Sequence, residues 1–115
     1  MTLLTTLLEK PIKAFKDLKF VYHYFKPAKV KAPYAVWLEH TDDSFNADNE
    51  KAERVLNGII DYYTQTENDS NLDLIEGAMN SMSSSWSLVA VQYEEDTMLI
   101  HFSWEWSVEN GKAEN

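Results

Sequence analysis

The chain has 115 residues, 44% of them hydrophobic, with ten basic and nineteen acidic side chains and no cysteine. That length suits a single domain over residues 1–115 with a real core, while the net charge of −9 argues against nucleic acid as a partner. The missing thiols exclude disulfides, thiolate catalysis and cysteine-held metals, and no apolar run approaches the roughly 20 residues of a membrane span or the pattern of a secretory signal, so the chain reads as soluble and unsecreted, with no membrane partner.

From Thr2 to Leu18, Leu4, Leu7, Leu8, Ile12 and Phe15 recur at helical spacing and Leu18 continues the stripe, while Lys10, Lys13 and Lys16 share another face. This predicts an amphipathic helix. Pro11 removes one backbone donor, so the spacing predicts a kink there, or two short helices with Pro11 opening the second. Phe20 to Phe25 is aromatic and β-branched and reads as a short strand. Lys26 to Pro33 (Lys-Pro-Ala-Lys-Val-Lys-Ala-Pro) follows as an extended connection with little core. Tyr34 to His40 is a second strand, with Tyr34, Val36 and Leu38 on one face and Ala35, Trp37 and Glu39 on the other.

Lys51 to Thr64 has two readings. Ala52, Val55, Leu56 and Ile59 have helical spacing with Gly58 placed as a C-cap, yet Asn57-Gly58 between apolar runs is also a two-residue hairpin signal. Under either reading Ile59 to Thr64 is a strand with Ile60 and Tyr62 on one face. Ser70 with Asp73 resembles a capping box opening a helix on which Leu72, Ile75, Met79 and Met82 form one stripe, and Gly77 inside it marks a candidate close contact with the sheet. The Ser83 to Ser85 run ends it. Trp86 to Tyr93 is the next strand, joined through Glu94-Glu95-Asp96-Thr97 to the most strongly patterned stretch of the chain. There Met98, Ile100, Phe102, Trp104, Trp106 and Val108 alternate with polar residues, which predicts a long half-buried strand and a C-terminal β-hairpin with an acidic tip. Glu109 to Asn115 reads as a frayed polar tail. The elements together predict an α+β fold: one mixed, largely antiparallel sheet packed against the N-terminal helix and a second helix near residues 71–82.

No constellation specifies a reaction. Asp42, Ser44, Asn46, Asp48, Glu50 and Glu53 partly match a calcium loop, but Ala47 stands where that loop needs glycine, so a solvated loop is the better reading. His23, His40 and His101 are isolated on or beside strands, which suits hydrogen-bonded structural histidines rather than metal ligands. Of the four tryptophans, Trp104 and Trp106 share the buried face and Trp37 is the candidate for exposure to a partner. No phosphate loop, nucleophile elbow or dinucleotide fingerprint is present, so neither an enzyme nor a cofactor is expected.

Charge is uneven. Residues 1–31 hold seven lysines against Glu9 and Asp17, a balance of +5, and the remainder holds Lys51, Arg54 and Lys112 against seventeen acids, a balance of −14. Such a division suits head-to-tail assembly, with the basic side of one copy against the acidic side of the next. The candidate assembly residues are Lys13, Lys16, Lys29 and Lys31 on the basic side, and Asp42, Asp43, Glu94, Glu95 and Asp96 on the acidic side.

Pro33-Tyr34-Ala35-Val36-Trp37-Leu38-Glu39, then Ser44-Phe45-Asn46-Ala47-Asp48-Asn49, then Ile60-Asp61-Tyr62-Tyr63-Thr64 resemble the tail terminator, or tail-to-head joining, proteins of long-tailed phages and prophages of Gram-positive bacteria. The resemblance spans nearly the whole chain, including the helix from Asn71 to Met82 and the hairpin from Trp86 to Val108. The chain departs from it at Lys51 to Leu56, where relatives look extended and the residues here favour helix; a hairpin around Asn57-Gly58 is the preferred expectation. What the resemblance implies is a non-enzymatic virion protein of the tail–neck region, assembled in the host cytoplasm. It would form a ring, commonly a hexamer, that caps the head-proximal end of the tail tube and meets the tail tube protein and a neck or connector protein. Another neck or head-completion protein, or an acidic inhibitor or binding protein, is the alternative.

Overall fold

The computed structural model describes residues 4–40, 55–82 and 85–109. The elements in order are α1 (Leu4–Phe15), β1 (Val21–His23), β2 (Tyr34–His40), β3 (Val55–Thr64), α2 (Asn71–Ser81), β4 (Ser85–Glu94) and β5 (Leu99–Glu109). The fold is α+β, with one five-stranded sheet in the order β1-β2-β3-β5-β4. Among the described residues β1 and β2 run parallel, the other neighbours are antiparallel, and β4–β5 is the C-terminal hairpin.

Period-two alternation places the core. Along β3, Leu56, Ile60, Tyr62 and Thr64 are buried, and opposite them on β5 lie Trp104, Trp106 and Val108, with Ala35 and Trp37 on β2. Both helices cover this one face. Leu7 and Phe15 of α1 and Ile75, Ala78 and Met79 of α2 complete the cluster, joined by Met82. Phe15 packs on Trp37 with ring centroids 5.4 Å apart. The Trp104 indole N–H donates to Glu76 on α2 at 2.9 Å, so the largest buried side chain also satisfies its polar atom.

Several expectations need correction. Helix α1 runs through Pro11 without dividing. Leu7, Pro11 and Phe15 lie four apart and form its buried stripe, so burial of the proline ring offsets the backbone bond it cannot make. Leu4 and Ile12 face solvent instead. Residues 55–64 are one continuous strand, and Asn57 and Gly58 sit inside it, paired with His40 and Glu39 on one side and Ser107 and Trp106 on the other. Neither a hairpin nor a helix C-cap forms there. Gly58 is required because the Trp106 ring fills the place of its side chain, an added Cβ lying 2.1 Å from Cζ2.

Met98 does not begin β5. It has φ 62, is 59% exposed, and donates its N–H to the Glu94 carbonyl at 2.7 Å, so it closes the hairpin turn. The expected Ser70–Asp73 capping box is not made, since the Ser70 side chain forms no cap bond. Asp69 takes that part: its carboxylate accepts from the Asn71 N–H at 2.9 Å, and its carbonyl accepts from the Leu72 N–H at 3.0 Å. Gly77 makes no close contact with the sheet, because an added Cβ would meet nothing within 4 Å. Gly77→Ala is therefore expected to stabilise the protein by about 0.5–1 kcal/mol through helix propensity alone, readable as a higher midpoint in urea unfolding with an unchanged slope.

Candidate interaction surface

The strand order decides where the charged segments go. The connection from β1 to β2, residues 24–33, lies at one edge of the sheet and carries Lys29 and Lys31, both exposed. The β4–β5 turn lies at the opposite edge and carries Glu94, Glu95 and Asp96. Lys13 and Lys16 are exposed on α1 and belong to the helix layer, with Lys10 and Lys13 lining a hollow beside Ser81 and Met82 at the end of α2. Asp42 and Asp43, and the whole calcium-loop pattern, lie outside the described residues. Thus the structure separates the basic candidates into two surfaces and sets one of them across the sheet from the acidic turn.

The sheet face away from the helices carries an aromatic and charged ladder that periodicity alone did not reveal. Lys26 Nζ lies 5.1 Å from the centre of the Tyr34 ring, Tyr34 stacks on Tyr63 at 5.0 Å, and Tyr63 stacks on His101 at 4.3 Å. His101 Nε2 is 2.8 Å from Asp61, and its Nδ1 is 3.4 Å from Glu94. Burial, with Asp61, Tyr34 and Glu94 nearby, pushes the Tyr63 hydroxyl up to about 12. Glu94 is thus tied into the ladder, which leaves Glu95 and Asp96 as the outward acids of the turn.

A second cluster closes the β1 edge. Trp37, expected as the exposed tryptophan, is 3% exposed and stacks on His23 at 3.7 Å, with Tyr24 on the other side of that imidazole at 3.7 Å. Both neighbours reach Glu39: His23 Nε2 lies 2.8 Å from its carboxylate, and the Tyr24 hydroxyl donates to it. Burial pushes the Glu39 carboxyl up, but the bonds from Tyr24 and His23 outweigh it and hold the group below its ordinary range. Tyr24 adopts φ 77, and its N–H donates to the Trp37 carbonyl at 2.8 Å. This left-handed residue turns the chain out of β1, and Phe25 beyond it is 73% exposed.

The edge strand β4 is the least covered part of the sheet. Leu88, Val89, Val91 and Tyr93 are 45–59% exposed, and a register shift between Leu88 and Ala90 marks a bulge. The unbroken apolar run Leu88-Val89-Ala90-Val91 was the available sequence signal. Such a run is read as a strand buried on both faces unless the strand order is known. A shallow hollow at the other end of the sheet is lined by Asn57, Ser85, Trp86, Glu105 and Trp106 among others. Among the described residues no cluster of three metal-ligating side chains occurs, and no helix is long and apolar enough to cross a membrane. No protein-family model matches the chain, and no curated protein does either.

Proposed function

We propose that this chain is a structural subunit of a long-tailed phage that caps the head-proximal end of the tail tube and joins tail to head. The observation that carries this reading is the placement of opposite charge at opposite edges of one sheet, lysines at the β1–β2 connection and acids at the β4–β5 turn. A surface and its complement at two separate places on one subunit make a head-to-tail contact that repeats, and repetition with rotation closes a ring such as a hexamer. A second support is the element order, since the Pro-Tyr strand, the strand ending Tyr63-Thr64, the helix and the hairpin follow one another as the resemblance expects. The ring would contact the tail tube protein on one side and a neck protein on the other.

The test is electron microscopy of particles from a phage lacking this gene, with and without the protein supplied in trans. Overlong or headless tails corrected by the protein are the expected result. Normal tails with heads attached would reject the assignment and favour an acidic binding protein instead.

A further inference from the structure

Among the described residues the sheet ends in two edge strands, and they differ in a way that points to what covers them. On its outer side β4 has no partner strand among the described residues. Before Glu94 it contains no charged residue and no proline, so apart from the bulge it lacks the devices that keep an edge strand from pairing. At the other edge β1 has only three residues and is followed by exposed Tyr24 and Phe25. The apolar surface of each edge therefore has a counterpart on the other.

Height along the strands matches as well. Register runs His23–Trp37–Ile60–Trp104–Leu88 across the sheet, so β1 is level with Leu88 to Val91, and the exposed Tyr24–Phe25 pair continues just past Leu88 on the Ser87 side. Tyr34, Tyr63, His101 and Gln92 form a lower row, next to the acidic turn. Lys26 lies over Tyr34 and Lys31 precedes it by three residues, so the basic segment is at the same end of the sheet as Glu95 and Asp96. Placing a second copy beside the first without changing its height brings apolar edge to apolar edge and lysines to acids. In that placement β4 and β1 run antiparallel.

We infer that β4 of one subunit docks against the β1 edge of a second copy, with Leu88 to Val91 along Val21–His23, Tyr24 and Phe25 beside Leu88, and Lys29 and Lys31 facing Glu95 and Asp96. The sheet then continues from subunit to subunit. A two-fold β4–β4 pair is disfavoured, because it sets the acidic turn against the uncharged Ser85–Ser87 segment and leaves the Phe25 edge uncovered. Repetition along a ring rests on the tail reading above; the edge contact itself rests on the strand order and the charges.

The absence of native cysteine makes cross-linking clean. Purified Phe25→Cys and Val89→Cys proteins, mixed at high concentration and treated with a short bis-maleimide, are expected to give a mixed dimer, while each alone gives little. Sedimentation of the protein at low salt is expected to show self-association weakened about tenfold by Glu95→Lys with Asp96→Lys, and restored when Lys29→Glu and Lys31→Glu are added to the same chain. Cross-linking confined to Val89→Cys alone, association indifferent to the charge reversals, or a monomer up to about 1 mM would each overturn the contact. Mixed cross-linking alongside normal tails in the gene-deleted phage supports the contact and rejects only the tail reading. Rescue of tails by a protein that shows no mixed cross-link does the reverse.

Discussion

Gly58→Ala is expected to destabilise the protein by about 3 kcal/mol, at the upper end of overpacking effects. The sign is the informative part, because in an open strand the same change would gain about 0.5–1 kcal/mol by restricting the unfolded chain. Here the new methyl would lie 2.1 Å from Cζ2, 2.5 Å from Cη2 and 2.6 Å from Cε2 of Trp106. Three ring atoms inside van der Waals contact cannot all be relieved by a small rotation. Trp106 is 2% exposed and meets Trp37 edge-on at 6.0 Å, so its indole has little room to retreat. Moving it displaces the contact between β2 and β5 across the middle of the sheet.

Thermal unfolding checks this, with a fall of about 12 °C in Tm expected for a domain of this size. Trp106→Leu should itself be destabilising, since it empties part of the core. In the double variant the two costs should add to less than their sum by at least about 1 kcal/mol, because the smaller side chain removes the collision. Full additivity would show that Gly58 matters for backbone conformation rather than for accommodating the indole.

The same position shows why local pattern carried the reading only part of the way. Asn57-Gly58 is turn-forming judged against its neighbours in sequence, but its partner is Trp106, 48 positions away, and that contact outweighs local preference. Alternation was sufficient to place β2, and β5 once Met98 is set aside, and helical spacing was sufficient for the Ile75–Met79–Met82 stripe. Pro11 misled for the converse reason. Its ring is an apolar side chain at the fourth position from Leu7 and from Phe15, and counting it as a breaker hid it from the stripe. Trp37 is buried by Phe15 and His23, which arrive from other elements.

The candidate surface was legible as charge and not as place. The excess of lysine before residue 32 and of acid after it is plain in the sequence. That Lys29 and Lys31 oppose Glu95 and Asp96 across the sheet, while Lys13 and Lys16 sit on the helix layer, depends on strand order, which periodicity does not contain. Edge position likewise makes Leu88, Val89, Val91 and Tyr93 a surface rather than core.

Asp69→Asn is expected to cost about 2 kcal/mol, through a network that locks the end of β3 to the start of α2. One carboxylate oxygen of Asp69 accepts from the Tyr62 hydroxyl at 2.5 Å and from the Thr64 hydroxyl at 2.6 Å, and the other accepts from the Asn71 N–H. Asn71 Nδ2 in turn donates to the Tyr62 hydroxyl at 2.9 Å. An amide can present its oxygen to one side only, so either both hydroxyls or the helix N–H would face an NH₂ group. Burial of Asp69 pushes its carboxyl up, yet the bonds from Thr64, Tyr62 and the Asn71 backbone outweigh this and hold it below 3.8, its ordinary value. A group lowered on folding contributes fully above its unfolded value and loses that contribution as pH falls through the folded one. The wild-type protein should therefore lose stability from pH 4 downward. Asp69→Asn should be less stable at pH 7 but flatter in acid, retaining the slope due to Glu39. Urea unfolding at pH 7 and pH 3 measures both effects. Parallel losses in the two proteins would show that the charge on Asp69, as distinct from its shape, contributes nothing to holding α2 on the sheet.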